Sequence, residues 1–220
     1  MKPMKLALAT TALTGLAAAP VAAALSANAT TDLNLRAGPG PQFQIEEVIA
    51  AEDEVTVEGC LDSGDWCEVS YDGTTGWAYS AYLTTPGENE PVVIYENQDD
   101  MDVAIVEHEE GNKALGAAAG GTWGAAAGSL LVGGPAAVAA GAVLGGMTGA
   151  ASTLDETTVT YVEKNPVDPV YLNGEVAVGA GIPQEVELYS VPESDYDYIN
   201  VNEQYVLVNP ENRRIVTVVR

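Results

Sequence analysis

Basic residues are scarce. Lysine and arginine together number 8 against 32 aspartates and glutamates, giving a net charge of −24 at neutral pH. A surface of that sign repels a phosphate polymer and excludes nucleic acid as a partner. Histidine occurs once and cysteine twice, too few to close a four-ligand zinc site. The acids form no calcium loop. Asp62 with Asp65, and the run Asp195-Tyr196-Asp197-Tyr198, lack the spaced oxygen ligands and glycine such a loop needs. They read as solvated acidic surface. A Ser-His-Asp set, a phosphate-cradling loop and a metal cluster are all missing from the pattern, so the expectation is a non-enzymatic protein with no cofactor and no metal. Hydrophobic residues reach 47%, but alanine supplies much of that, so the apolar content is not all core.

What is present begins with an address. Lys2 and Lys5 precede an apolar run over residues 6–24, and Ala27-Asn28-Ala29 supplies a small-x-small pattern. Together they predict a secretory signal peptide over residues 1–29, cut after Ala29, and hence an exported protein of the periplasm or cell envelope. Residues 30–83 then read as short strands at 31–35, 45–50, 54–60, 66–71 and 76–79. Gly38-Pro39-Gly40-Pro41, Asp62-Ser63-Gly64-Asp65 and Asp72-Gly73 punctuate them. Residues 84–113 read as an acidic linker with short strand patterns at 92–95 and 103–106. Residues 114–152 carry no charge and are mostly Gly and Ala. Residues 153–220 return to strand patterns and end in a hairpin. Its strands, 205–208 and 214–219, flank the turn residues Asn209-Pro210-Glu211-Asn212.

The first block carries a family pattern. Asp32-Leu33-Asn34-Leu35-Arg36-Ala37-Gly38-Pro39-Gly40, then Gly59-Cys60, Trp66-Cys67-Glu68-Val69, Gly76-Trp77 and Tyr82-Leu83, resemble bacterial SH3-like domains in motif and order. The resemblance implies a small barrel of five to seven strands that binds cell-wall peptides or envelope proteins. Such domains often target a hydrolase, and none follows here. Trp66, Tyr71, Tyr79 and Tyr82 are the candidate binding residues, since aromatic faces can line a groove. Core packing is the competing reading and the favoured one for Trp77 and Tyr82, while Tyr71 and Tyr79 stay open between the two. Arg36 is the only basic residue of this block, which disfavours anionic ligands. Cys60 and Cys67 fall on adjacent predicted strand ends around a short turn, and export with an even count favours a disulfide. The sharper alternative, Cys67 as a nucleophile with His108 as base, finds nothing to order His108 in its acidic surroundings.

In the neutral segment, Gly116, Gly120, Gly124 and Gly128 recur at spacing four, as do Gly141, Gly145 and Gly149 after the break Gly133-Gly134-Pro135. On helices this spacing lines one face and lets another helix approach closely. Helices over 114–132 and 136–152 would be about 28 Å and about 25 Å long. The pattern resembles glycine-zipper hairpins of outer-membrane-associated proteins. Membrane association or self-association is one reading, and a soluble packed hairpin or flexible linker is the other.

The tail, with Tyr171-Leu172-Asn173-Gly174-Glu175-Val176, Val178-Gly179-Ala180-Gly181-Ile182-Pro183 and Val186-Glu187-Leu188-Tyr189, resembles an alphaproteobacterial envelope domain, domain of unknown function 1236. That resemblance implies a β-containing module and no reaction. Val186 and Leu188 alternate with Glu185 and Glu187 as a half-buried strand would. Val206, Val208, Ile215 and Val219 are expected to close one core face.

The combined expectation is a mainly β chain, with a small SH3-like barrel and a C-terminal β-containing module joined by a Gly/Ala-rich helical hairpin. Its role is to bind a peptide, cell-wall or protein partner at the envelope, as a monomer or a homo-oligomer. The alternative is a peptidoglycan-docking accessory that localises a separate hydrolase.

Overall fold

A computed structural model describes residues 24–88, 90–101, 103–108, 130 and 156–220. The described chain is mainly β and holds two antiparallel sheets. The first has eight strands: β1 (Leu25–Ala29), β2 (Leu33–Arg36), β3 (Ile45–Ile49), β4 (Glu54–Cys60), β5 (Trp66–Tyr71), β6 (Thr74–Tyr79), β7 (Leu83–Thr85) and β8 (Val92–Val93). Their spatial order is β3-β2-β6-β5-β4-β1-β7-β8. Alternation in β4 buries Val55 and Val57 and turns Glu54, Thr56 and Glu58 to solvent. Leu33, Leu35, Ile49, Val69 and Leu83 join them in one core. The β5–β6 connection is a two-residue loop in which Asp72 (φ 47°) and Gly73 (φ 88°) both lie in the left-handed region, the requirement of a type I′ turn.

The sequence expectations need three corrections here. First, β1 lies within the expected leader. Ala27 and Ala29 are fully buried, Ala27 pairs with Val55 on β4, and Ala29 pairs with Leu83 on β7. A cut after Ala29 would therefore remove an interior strand, and the unit starts at Leu25 rather than at residue 30. Small-x-small is also how a strand packed closely against its neighbours reads, so the two signals share one pattern.

Second, the described part of the expected acidic linker is built into the first unit. After β7 and β8, helix α1 (Ile94–Asn97) buries Ile94, and a 3-10 turn follows at Gln98–Met101. Residues 103–108 then run beside β4: Cys60 N–H donates to Ala104 O at 2.8 Å, and Val106 N–H donates to Cys60 O at 2.9 Å. The acids face water while Val93 and Ile94 face the core, so net charge concealed an ordered segment. The sheet accordingly has eight strands, not five to seven.

Third, the tail's core face is shifted by one residue at its end. The second sheet, ordered β12-β11-β10-β9, comprises β9 (Tyr189–Ser190), β10 (Asp197–Val201), β11 (Gln204–Asn209) and β12 (Arg214–Val219). An irregularity between Leu207 and Val208 puts Val206 opposite Val218 and Val208 opposite Ile215. The extra residue in β12 flips the side-chain phase, so Val218 packs on the core with Val206, Val208 and Ile215 in place of Val219. The 185–188 stretch has the expected burial alternation but turns after Pro183, with Val186 N–H donating to Pro183 O at 3.2 Å.

Both faces of this second sheet are covered. Ile199, Val201, Val206 and Val208 pack on one side with Leu172, Val176 and Ile182. On the other, Tyr198 and Leu207 meet Val162 of helix α2 (Glu156–Lys164). The Gly/Ala hairpin expected at 114–152 lies outside the described residues except for Leu130. Its backbone N–H donates to Asn173 O at 2.9 Å, and its side chain is buried in the C-terminal core.

Candidate binding site

Strands β5 and β6 carry the candidate aromatics, and the register Trp66 opposite Tyr79 places two of them side by side. The Trp66 and Tyr79 rings meet edge to face at 5.2 Å, Tyr79 lies 6.1 Å from Tyr82, and Tyr95 stacks on Tyr79 at 6.5 Å. The 3-10 turn Ser80–Tyr82 carries Tyr82 inward. Ser80 fixes that turn to the β4–β5 hairpin, since its backbone N–H and its hydroxyl each donate to Asp65 O at 3.0 Å. Gln98 ties the α1 region to the same hairpin by donating to Leu61 O at 3.1 Å.

These four rings differ in access. Trp66 and Tyr82 are buried, Tyr79 is half-buried, and Tyr95 is 43% exposed. The expected groove of Trp66, Tyr71, Tyr79 and Tyr82 therefore has two members that pack as support rather than line a surface. Tyr71 is not part of it. It sits at the far end of β5, where its hydroxyl donates to Asp53 Oδ2 at 2.6 Å. Trp77 packs with His108 at 5.4 Å, and His108 reaches Phe43 at 5.8 Å, a separate aromatic group. Tyr95 carries no sequence signal for this cluster, because it lies among the acids that follow β7 and further along the chain than the other rings.

Burial keeps the Tyr79 and Tyr82 phenols neutral. Burial, reinforced by the Asp65 charge and by Tyr95, pushes the Tyr79 hydroxyl well above the ordinary tyrosine range. Burial does the same for Tyr82, whose hydroxyl has no hydrogen-bond partner among the described residues. The Asp65 carboxyl is itself raised by burial, partly offset by a hydrogen bond from Ser63. The site thus offers apolar ring faces and neutral donors beside acids, chemistry suited to an uncharged or basic chain.

Cys60 and Cys67 face each other across β4 and β5 and form a disulfide. Both sulfurs are used, and His108 is held against Trp77 and Phe43, so the nucleophile–base alternative has neither member. No group of metal-ligating side chains occurs among the described residues. No helix of the described residues is long and apolar enough to cross a membrane.

Comparison with known families adds two matches. Residues 31–84 match the bacterial SH3 domain. The family model for a domain of unknown function, DUF1236, matches residues 161–220. No curated protein matches the chain. A bacterial SH3 domain indicates a binding role, and together with the disulfide it indicates an extracellular or envelope setting.

Proposed function

We propose that this protein is exported to the cell envelope and works there by binding, its SH3 domain holding a cell-wall peptide or an envelope protein without chemistry of its own. The observation that carries this reading is the Tyr79–Tyr95 stack, a ring surface left open at the edge of an otherwise packed domain. Trp66 and Tyr82 support it from below. Rigid aromatic faces give contact area at small entropic cost, and the surrounding carboxylates select against anionic partners.

Retention of the purified protein on cell-wall sacculi tests the wall-binding form of the proposal. Tyr95→Ala is expected to weaken retention at least severalfold while leaving the melting temperature unchanged, because the ring is exposed. Wild-type protein that passes through sacculi and captures no envelope protein would overturn it. Charge-free composition and glycine spacing support a role for segment 114–152 in holding the protein at a membrane or beside its own copies. Removing residues 136–152, which spares Leu130, is expected to move tagged protein from the membrane fraction to the soluble one. An unchanged distribution would end that part of the proposal.

A further inference from the structure

Arg36 is the single cation of the SH3 unit, and it is 2% exposed. The SH3 unit itself fixes one end of the guanidinium: Nη1 donates to Pro41 O at 3.0 Å and to Phe43 O at 2.7 Å, both from the connection between β2 and β3. That leaves the Nε–Nη2 edge, the one that pairs with a carboxylate through two parallel bonds, for a partner from outside the SH3 unit. The Asn34 amide stands beside it as a third donor. A carboxylate from the C-terminal module fills this corner. Glu175 accepts from Arg36 Nε, from Arg36 Nη2 at 2.7 Å and from Asn34 Nδ2 at 2.9 Å, and it is fully buried.

The opposing side is shaped to deliver that carboxylate. Gly174 lies at φ 93°, a left-handed conformation that turns the chain so that Glu175 faces the SH3 unit. Val176 N–H donates back to Glu175 Oε1 at 2.8 Å and holds the side chain in place. Ala177 packs into the core of the first unit. A buried charge pair is a poor source of net stability compared with apolar packing, but losing one member leaves the other uncompensated, so such a pair specifies which surfaces meet.

We infer that Arg36, with Asn34 beside it, is a carboxylate-binding pocket of the SH3 unit and that Glu175 of the C-terminal module is its ligand within the same chain. The two family units are thereby latched together, and the latch excludes other carboxylates from Arg36 while it is closed. The inference is independent of what the exposed tyrosines bind.

Full-length Glu175→Ala tests it by emptying the pocket while keeping the receptor. Its melting temperature is expected to fall. Sodium acetate should then restore part of the loss saturably, relative to sodium chloride at equal ionic strength, because a ligand bound to the native state stabilises it by mass action. Arg36→Met combined with Glu175→Ala is expected to show no difference between acetate and chloride. Equal behaviour of Glu175→Ala in the two salts, or an acetate response that survives removal of Arg36, would overturn the inference. Should Glu175→Ala not fold, Glu175→Gln keeps the side-chain volume, and exchange of the Arg36 Nε proton with solvent serves instead. It should be slow in the wild type and at least tenfold faster in the glutamine variant, and equal rates would refute the pocket. None of these readouts involves an external partner, so failure here is distinguishable from failure of the binding proposal.

Discussion

Ala27 pairs with Val55 across the β1–β4 ladder, in the interior of the eight-stranded sheet. Both are buried, and β1 is hydrogen-bonded on its other side to β7. Under the export proposed above, processing that keeps this sheet intact leaves the strand in place. Ala22-Ala23-Ala24, immediately before Leu25, is a second small-x-small pattern that does so. Mass spectrometry of the exported protein is expected to find an N-terminus at or before Leu25; a mature chain beginning at Thr30 would contradict the strand's place in the fold.

The Cys60–Cys67 bridge spans 7 residues of sequence, so it closes a short loop. Loop entropy then accounts for roughly 2–3 kcal/mol of stability. Reduction without denaturant should lower the melting temperature by about 5–10 °C on the usual conversion for a chain of this size. Calorimetry with and without reductant measures it. An unchanged transition would mean that the β4–β5 hairpin is held by packing alone.

Asp65 gives the pH dependence a definite sign. Burial raises its carboxyl above the ordinary 3.8, so the native state holds that proton more tightly than the unfolded chain. The group therefore subtracts stability once the pH exceeds its folded pKa, and the penalty fades as the pH falls through that value to below 3.8. Asp65→Asn is expected to be more stable than wild type at neutral pH, with the difference closing in acid. Urea titrations at neutral pH and below 3.8 check the prediction; a gap that widens in acid would reverse the assignment.

Leu130 is buried among Leu172, Val176 and Ile182, more than forty residues before the tail to which it packs. Leu130→Ala should cost about 2–5 kcal/mol, the range for deleting a buried leucine. Chemical denaturation of the full chain reads the loss, and a change within experimental error would mean that the side chain does not hold the Gly/Ala segment to the module.

Legibility tracked the size of local signals. The hairpin at Asp72-Gly73, the alternation of β4 and the terminal hairpin were readable because turn chemistry and period-two burial act over a few residues. Strand β10 is not, since Asp195 and Asp197 stand immediately before Tyr198 and Ile199 and make the start of a buried strand look like acidic surface. Among the candidate aromatics, residue type alone identified Trp66, Tyr79 and Tyr82. Ring exposure separates Tyr95 from them, position at the far end of β5 separates Tyr71 from the cluster, and no spacing rule carries either distinction.

By itself, the amino-acid sequence determined the two family units, the paired cysteines and the mainly β architecture. Those follow from composition, turn residues and short periodic patterns. Tertiary structure alone decided that residues 25–29 belong inside a sheet, that the acidic stretch after β7 is ordered, and that Arg36 meets Glu175 across 139 residues of chain. A contact that distant leaves no periodic trace, because only the folded backbone brings its two charges out of water and into one place.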